Sequence, residues 1–350
     1  MKIMKNKTRL FLLVIAFFLL QVYAASACTR VVYRGPNGMI ITARSMDWQE
    51  DTKSNLWLFP RGMHRDGATG PATAKWISKY GSVVASFGDN GSTDGMNEKG
   101  LVANLLWLAE SEYPKIDLTK TGISVGAWLQ YVLDNFTTVQ EAVDSLSKEP
   151  FAVYSDKMPG SNLTATLHLS ISDASGDSAI FEYLKGKLVI HHNASYQVMT
   201  NSPIYDKQLA LDEYWKQIGG TTMLPGTNRA ADRFVRASFY INAIPKTDNP
   251  RVAIASVFSV IRNCSVPLGI STPSQPNISS TQWRTVSDQK NKVYYFESAL
   301  TPNVFWVDLK DVDFSEKAKS KKLSLVNNEV YASNVVKEFK ETEPFKFVGI

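Results

Sequence analysis

The stretch Ala25-Ser26-Ala27-Cys28, at the end of a basic and then apolar leader, constrains this chain most. Lys2, Lys5, Lys7 and Arg9 form the basic part, Leu10 to Leu20 the apolar part, and Ala25 and Ala27 put small residues where a signal peptidase cuts. Residues 1–27 therefore read as a signal peptide and residues 28–350 as the mature chain, exported to the periplasm or secreted. An apolar run from Leu10 to Ala25 is short for a membrane span, so no stable membrane anchor is expected. Cleavage before Cys28 leaves a thiol and a free α-amine on one residue, a nucleophile and a base together.

Processing also changes the charge. The full sequence has 38 Lys and Arg against 33 Asp and Glu; the leader holds four of the basic residues and no acid, leaving 34 against 33. A nearly neutral mature chain without basic clusters interleaved with aromatics gives no sign of a nucleic-acid partner. Cys28 and Cys264 are the two cysteines, enough for one disulfide in an oxidising compartment, which is the structural alternative for Cys28. His64, His168, His191 and His192 show no metal-ligand spacing with them, so neither metal nor cofactor is expected.

Along the chain, Thr29 to Tyr33 and Met39 to Ala43 flank the turn signal Pro36-Asn37-Gly38 and predict a hairpin. That hairpin brings Cys28 near Arg44 to Asp47. Strands are also predicted at Leu56 to Phe59, Ser82 to Phe87 and Gly100 to Leu108, followed by helices over Ser124 to Phe136 and Val139 to Lys148, the latter capped by Thr137 or Thr138. Ala165 to Ser172, Ala179 to His191 with a break at Lys185-Gly186-Lys187, and Gln197 to Thr200 are strand-like. Helices follow at Asp206 to Gln217, Ala230 to Ile244 and Arg251 to Asn263, then strands at Gln282 to Asp288, Lys292 to Phe296 and Asn303 to Asp308. Lys317 to Lys322 reads as a solvated basic turn. The pattern suggests segregated layers of one α+β domain rather than strict β/α alternation.

Amide hydrolysis needs a nucleophile, a proton acceptor and donors for the oxyanion. An N-terminal Cys28 supplies the first two, since an α-amine with a reference pKa near 8 acts as a base at neutral pH. An Asp beside the ammonium would hold it, and an Arg beside the sulfur would favour thiolate. As a bare pattern, Arg44 and Asp47 at the end of a strand more often describe a surface ion pair than a catalytic one.

Several blocks then resemble the choloylglycine hydrolase family of N-terminal nucleophile hydrolases, which holds conjugated bile salt hydrolases and penicillin V acylases. They are Cys28-Thr29-Arg30, Ala43-Arg44-Ser45-Met46-Asp47-Trp48, Gly95-Met96-Asn97-Glu98-Lys99-Gly100-Leu101, Val198-Met199-Thr200-Asn201-Ser202-Pro203, and Leu224-Pro225-Gly226 with Asp232-Arg233-Phe234-Val235-Arg236. They occur in the family's order over nearly the whole mature chain. The resemblance implies an αββα four-layer sandwich and a catalytic set of Cys28, Arg44, Asp47, Asn201 and Arg233. In that set Asn201 offers its side-chain amide to the oxyanion, with the backbone N–H of Trp107 as second donor.

Trp107 stands where the family's bile salt hydrolases carry Asn and its Gram-positive penicillin acylases Tyr, and Trp48 directly follows Asp47. This pairing looks like the Gram-negative branch, whose members cleave phenoxyacetyl penicillin and, in some cases, acyl-homoserine lactones. Trp48 and Trp107 are thus the expected substrate-binding residues, and a small-molecule N-acyl amide the expected partner. The stretch from Asn201 to Arg233 lacks the insertion that helps the Gram-positive enzymes form tetramers, so that route to a homo-oligomer is not expected and other routes stay open. A conjugated bile salt hydrolase is the alternative within the family. A Cys28-lipidated exported binding protein is the alternative of another class, although Ala25 rather than Leu three residues before the cysteine disfavours it.

Overall fold

A computed structural model describes residues 27–350 apart from 159–160, 274–277, 302 and 328. The basic and apolar parts of the expected signal, within residues 1–26, lie outside the described residues. Strand β1 (Thr29–Arg34) turns through Pro36–Gly38 into β2 (Ile40–Trp48), with Thr29 opposite Ser45 and Arg34 opposite Ile40. Asn37 and Gly38 take φ of 52° and 69°, left-handed conformations that these two residue types adopt at little cost.

The hairpin lies within a seven-stranded sheet, in the order Val198–Met199, β1, β2, Ser280–Asp288, Val293–Ser298, Val304–Asp308, Ser333–Asn334. A nine-stranded sheet packs against it, in the order Lys187–His192, Ser178–Leu184, Leu167–Ser172, Val102–Trp107, Ser92–Asn97, Ser82–Ser86, Leu56–Phe59, Lys321–Leu323, Lys340–Glu341. Within the two sheets the described pairings are antiparallel except Val304–Asp308 with Ser333–Asn334. Helices α1 (Val125–Asn135) and α2 (Val139–Leu146) cover the outer face of the nine-stranded sheet, where Trp128 packs edge-on against Tyr183 and Phe181. Helices α3 (Tyr205–Ile218), α4 (Ala230–Ala243) and α5 (Pro250–Asn263) cover the other side. The architecture is the expected αββα sandwich.

Local chemistry accounts for these elements. The Thr138 side chain accepts from Glu141 N and Asp173 accepts from Val139 N, which satisfies two first-turn donors of α2, while the Glu141 carboxylate accepts from Thr137 N and ties the entering chain back to the helix. Ile40 through Asp47 are all buried, as a strand covered on both faces must be. Alternation then sorts the side chains of β2: Thr42, Arg44 and Met46 face the other sheet, and Ser45 and Asp47 face the helical layer. Thr42 meets Ser172 and Arg44 meets the Leu105 carbonyl on the inner side.

Three expectations need correction. The second strand does not end at Ala43 but runs on to Trp48, because Ser280–Asp288 pairs along it and satisfies its far edge. Ser92–Asn97, in which no strand was expected, pairs with strands on both sides despite its poor β-formers. Lys321 and Lys322, expected in a solvated turn, instead pair with Leu58 and Trp57. Among the described residues no helix is long and apolar enough to cross a membrane.

Candidate active site

Cys28 precedes β1 directly and is 3% exposed. In the full-length chain its nitrogen is the peptide nitrogen bonded to Ala27, and it stands where the α-amine of a chain cut at that bond would lie. This N–H donates to Asn201 Oδ1 at 2.7 Å. On the sulfur side, Arg44 Nη2 donates to Sγ at 3.6 Å, and the thiol points at the Asp47 carbonyl, 3.8 Å away. The register of the hairpin explains this: Thr29 is opposite Ser45, so Cys28 falls level with Met46 and shares its face with Arg44.

Arg44 is buried. Its Nη2 also donates to Leu105 O at 3.0 Å, its guanidinium lies over the Trp283 ring at 4.7 Å, and Nε and Nη1 have no hydrogen-bond partner among the described residues. Nη2 also meets Met46 Sδ at 3.4 Å, so a planar cation held by a carbonyl, a ring and a thioether stands beside the Cys28 sulfur. Asp47 lies on the opposite face of the same strand. Its carboxylate accepts from Thr281 Oγ1 at 2.5 Å and from Ser45 Oγ at 3.3 Å. Burial pushes this carboxyl up to about 6, even though Arg233, Thr281, Arg44 and Ser45 all favour its ionised form.

Arg233, from α4, ties the ends of the site together. Its Nη1 donates to Cys28 O at 2.6 Å and to Thr29 Oγ1 at 2.5 Å, and its Nη2 to Asn201 Oδ1 at 2.8 Å. Burial lowers the pKa of this guanidinium, and Asp47 and Cys28 oppose the shift. With two donors on Oδ1, the Asn201 amide orientation is fixed by its partners. Its Nδ2 donates to the Trp107 carbonyl at 2.7 Å, which leaves the second hydrogen of that nitrogen for another acceptor. The structure thus brings Cys28, Arg44, Asp47, Asn201 and Arg233 together, and ties Trp107 to Asn201 through its carbonyl.

The surroundings of Asn201 include residues that sequence reasoning did not single out. Gln208 Nε2 donates to the carbonyls of Asn201 and Pro203, and its Oε1 accepts from Thr200 Oγ1. His168 Nε2 lies 2.9 Å from Thr200 O, and its Nδ1 faces Glu182, which also accepts Tyr205 N at the start of α3. Burial would raise the Glu182 carboxyl, but the hydrogen bonds from His168, His191 and Tyr205 outweigh it and hold the group at about 2. Gln208, in the first turn of α3, carried no local signal for this clamp. Ser45 and Thr281 gave none.

Beside the sulfur opens a cleft with a cavity volume of about 100 Å³ whose lining is mostly apolar, with Met46, Trp48, Phe87, Leu105 and Trp107 near Cys28 and Arg44. Trp48 and Trp107 lie 5.3 Å apart at 53°, and Phe87 meets Trp48 edge-on at 6.0 Å. Both sequence-predicted indoles therefore reach the cleft, although Trp107 is only 8% exposed. Cys28 and Cys264 are both free, and burial pushes the Cys264 thiol up to about 11. No group of three or more His, Cys, Asp or Glu among the described residues could hold a metal ion.

The model of the linear amide C–N hydrolases, choloylglycine hydrolase family, matches residues 28–323. The chain belongs to this family. The choloylglycine hydrolases most similar to it include the penicillin V acylase of Pectobacterium atrosepticum, 55% identical over 93% of each chain. The solved structure of the Agrobacterium tumefaciens penicillin V acylase is 62% identical, covers 92% of this chain and 100% of its own, and superimposes with a TM-score of 0.87. More distant is the bile salt hydrolase/transferase of Clostridium perfringens, 26% identical over 81% of this chain and 92% of that one. The chain is thus a linear amide C–N hydrolase with the fold of the N-terminal nucleophile hydrolases.

Proposed function

We propose that the chain is exported, cut before Cys28, and acts as a penicillin V acylase-like and N-acyl-homoserine lactone acylase-like hydrolase with Cys28 as nucleophile. The observation that carries the reading is the position of Cys28: its sulfur opens on an aromatic cleft while its nitrogen faces a polar cluster. In the processed chain the α-amine takes the thiol proton as sulfur bonds to the amide carbon, and the carbonyl electrons move to oxygen. The free hydrogen of Asn201 Nδ2, with the Trp107 N–H, serves the oxyanion. Collapse expels the amine, which takes the proton from the α-ammonium, and leaves a thioester. Water then attacks the thioester, losing its proton to the same amine, and returns the thiol.

The acyl preference is supported by the 55% and 62% identities to penicillin V acylases and by the Trp48–Trp107 pair beside the sulfur. Slim aryl or alkyl groups pack along a wall of paired indoles better than a wide steroid. The bile salt reading has the weaker support of a 26% relative. A lipidated Cys28 fits poorly with a side chain that is 3% exposed. Two measurements test the proposal: the mass of the mature N-terminus, and turnover of penicillin V, long-chain acyl-homoserine lactones and glycocholate. An unmodified Cys28 with good turnover of the first two is expected. A blocked cysteine, or glycocholate as the one good substrate, would overturn it.

A further inference from the structure

Residues 345–350 form a strap whose last three residues reach the cleft. Phe345 packs edge-on against Trp57 at 5.2 Å and Phe59 at 5.5 Å, and Phe347 stacks on Trp76 at 6.4 Å and meets Phe345 at 5.6 Å. Beyond these anchors the backbone is pinned twice, by Val348 N to Asn90 O at 2.7 Å and by Ile350 N to Ala68 O at 3.0 Å. A Cβ on Gly349 would stand 3.1 Å from Ala68 O, so glycine lets the strap lie this close. Val348 Cγ1 in turn reaches to 3.7 Å from where a Cβ of Gly126, in the first turn of α1, would be.

Val348, Gly349 and Ile350 line the same cleft as Cys28, Trp48 and Trp107. Val348 and Ile350 are half-buried, with apolar surface left to cover. The matched family segment ends at residue 323, so this wall is built from chain outside the segment that defines the family. The nucleophile and its polar cluster come from inside that segment.

Resting on the acyl-hydrolase reading above, we propose that Val348–Ile350 are a specificity-determining wall of the acyl pocket. Their side chains limit the length and width of the aliphatic or aryl acyl group that reaches Cys28. Each methylene that gains or loses cover in such a pocket changes affinity about fourfold, so a few atoms of wall alter the order of substrates.

The test compares the mature protein with a chain stopped after Phe347, which keeps both aromatic anchors, and with Val348→Trp and Ile350→Ala. Two series are measured: kcat/KM for N-acyl amides from hexanoyl to dodecanoyl and for phenoxyacetyl, and binding of the free acids by tryptophan fluorescence. The stopped chain and Ile350→Ala should raise the dodecanoyl-to-hexanoyl ratio about tenfold, and Val348→Trp should lower it by a similar factor. If the stopped chain fails to fold, the two substitutions carry the test. Ratios within about twofold of the parent in folded variants would overturn the proposal. A parent that cleaves no amide, yet whose acid-binding order shifts in the variants as described, would overturn the acyl-hydrolase reading and leave the wall standing.

Discussion

Asn201 Oδ1 accepts the N–H of Cys28 at 2.7 Å and the Nη2 of Arg233 at 2.8 Å, which makes one carbonyl oxygen the junction between the residue at the head of β1 and a helix on the outer layer. The other end of the same side chain holds the Trp107 carbonyl of the second sheet. One amide therefore spans both sheets at the site.

Replacing that amide tests its role. Asn201→Ala should lower kcat by roughly 10² to 10³ with a smaller change in KM, as the loss of one oxyanion donor does. It also leaves a buried guanidinium hydrogen without its acceptor, so a fall in stability of about 2 kcal/mol is expected alongside. Asn201→Asp keeps the Oδ1 acceptor and removes the donor, and it should lose kcat without the Arg233 penalty. An active Asn201→Asp protein would take the donor role away from Asn201.

The cysteines divide cleanly. Cys28→Ala should abolish turnover while leaving the fold intact. Cys264 ends α5 with its thiol near the Arg233 carbonyl, 3.9 Å away, and is fully buried, so it behaves as a small packing residue. Cys264→Ala should cost about 1 kcal/mol of stability and keep most activity. Loss of activity on treatment with a reducing agent, together with an inactive Cys264→Ser, would point instead to a bond between the two sulfurs.

The hairpin was legible because Pro36-Asn37-Gly38 carries its own turn chemistry and strong β-formers flank it. Placing Cys28 beside Arg44 and Asp47 followed from that turn alone, and β1 and β2 have this register. What spacing could not give was Asn201, 173 residues away, or Arg233, which on its own helix is one charge among several. Those two came through the family's blocks. Ser92–Asn97 stayed hidden because its place between two better strands, and not its own residues, makes it extended. The Gln208 clamp was hidden for a related reason: a helical Gln is indistinguishable from a surface residue until the turn it holds is packed under it.

Asp47 gives a pH signature. Its rise from 3.8 to about 6 in the full-length chain disfavours the buried carboxylate by roughly 3 kcal/mol. Between those values the folded state holds a proton that the unfolded chain has lost. Asp47 therefore costs no stability below pH 3.8, costs progressively more as pH rises through the window, and costs fully above 6. In a chain carrying one extra residue before Cys28, the Tm difference between Asp47→Asn and its parent should move in the variant's favour from pH 4 to pH 7. In the mature chain an ammonium on Cys28 that interacts with the Asp47 carboxylate should shrink that trend. Equal trends in the two forms would separate Asp47 from the amine.

The indole of Trp107 is the last point of leverage, because the same residue meets Asn201 through its backbone and the apolar cleft through its ring. Trp107→Ala leaves the carbonyl that accepts from Nδ2 in place and deletes the ring that stands 5.3 Å from Trp48. The effect should therefore fall on substrate binding and on the choice among acyl groups. A buried indole face is worth enough that KM for penicillin V should rise about tenfold or more. A long flexible acyl chain, which can refill the space, should suffer less. Phe at this position should recover most of the loss for the aryl substrate, since a flat ring is restored without the indole N–H. Measuring kcat and KM separately for penicillin V and for a decanoyl-homoserine lactone with Trp107→Ala and Trp107→Phe decides the matter. An equal loss of kcat on both substrates, with KM unchanged, would mean that the ring fills the sheet core and acts on the site only through Asn201.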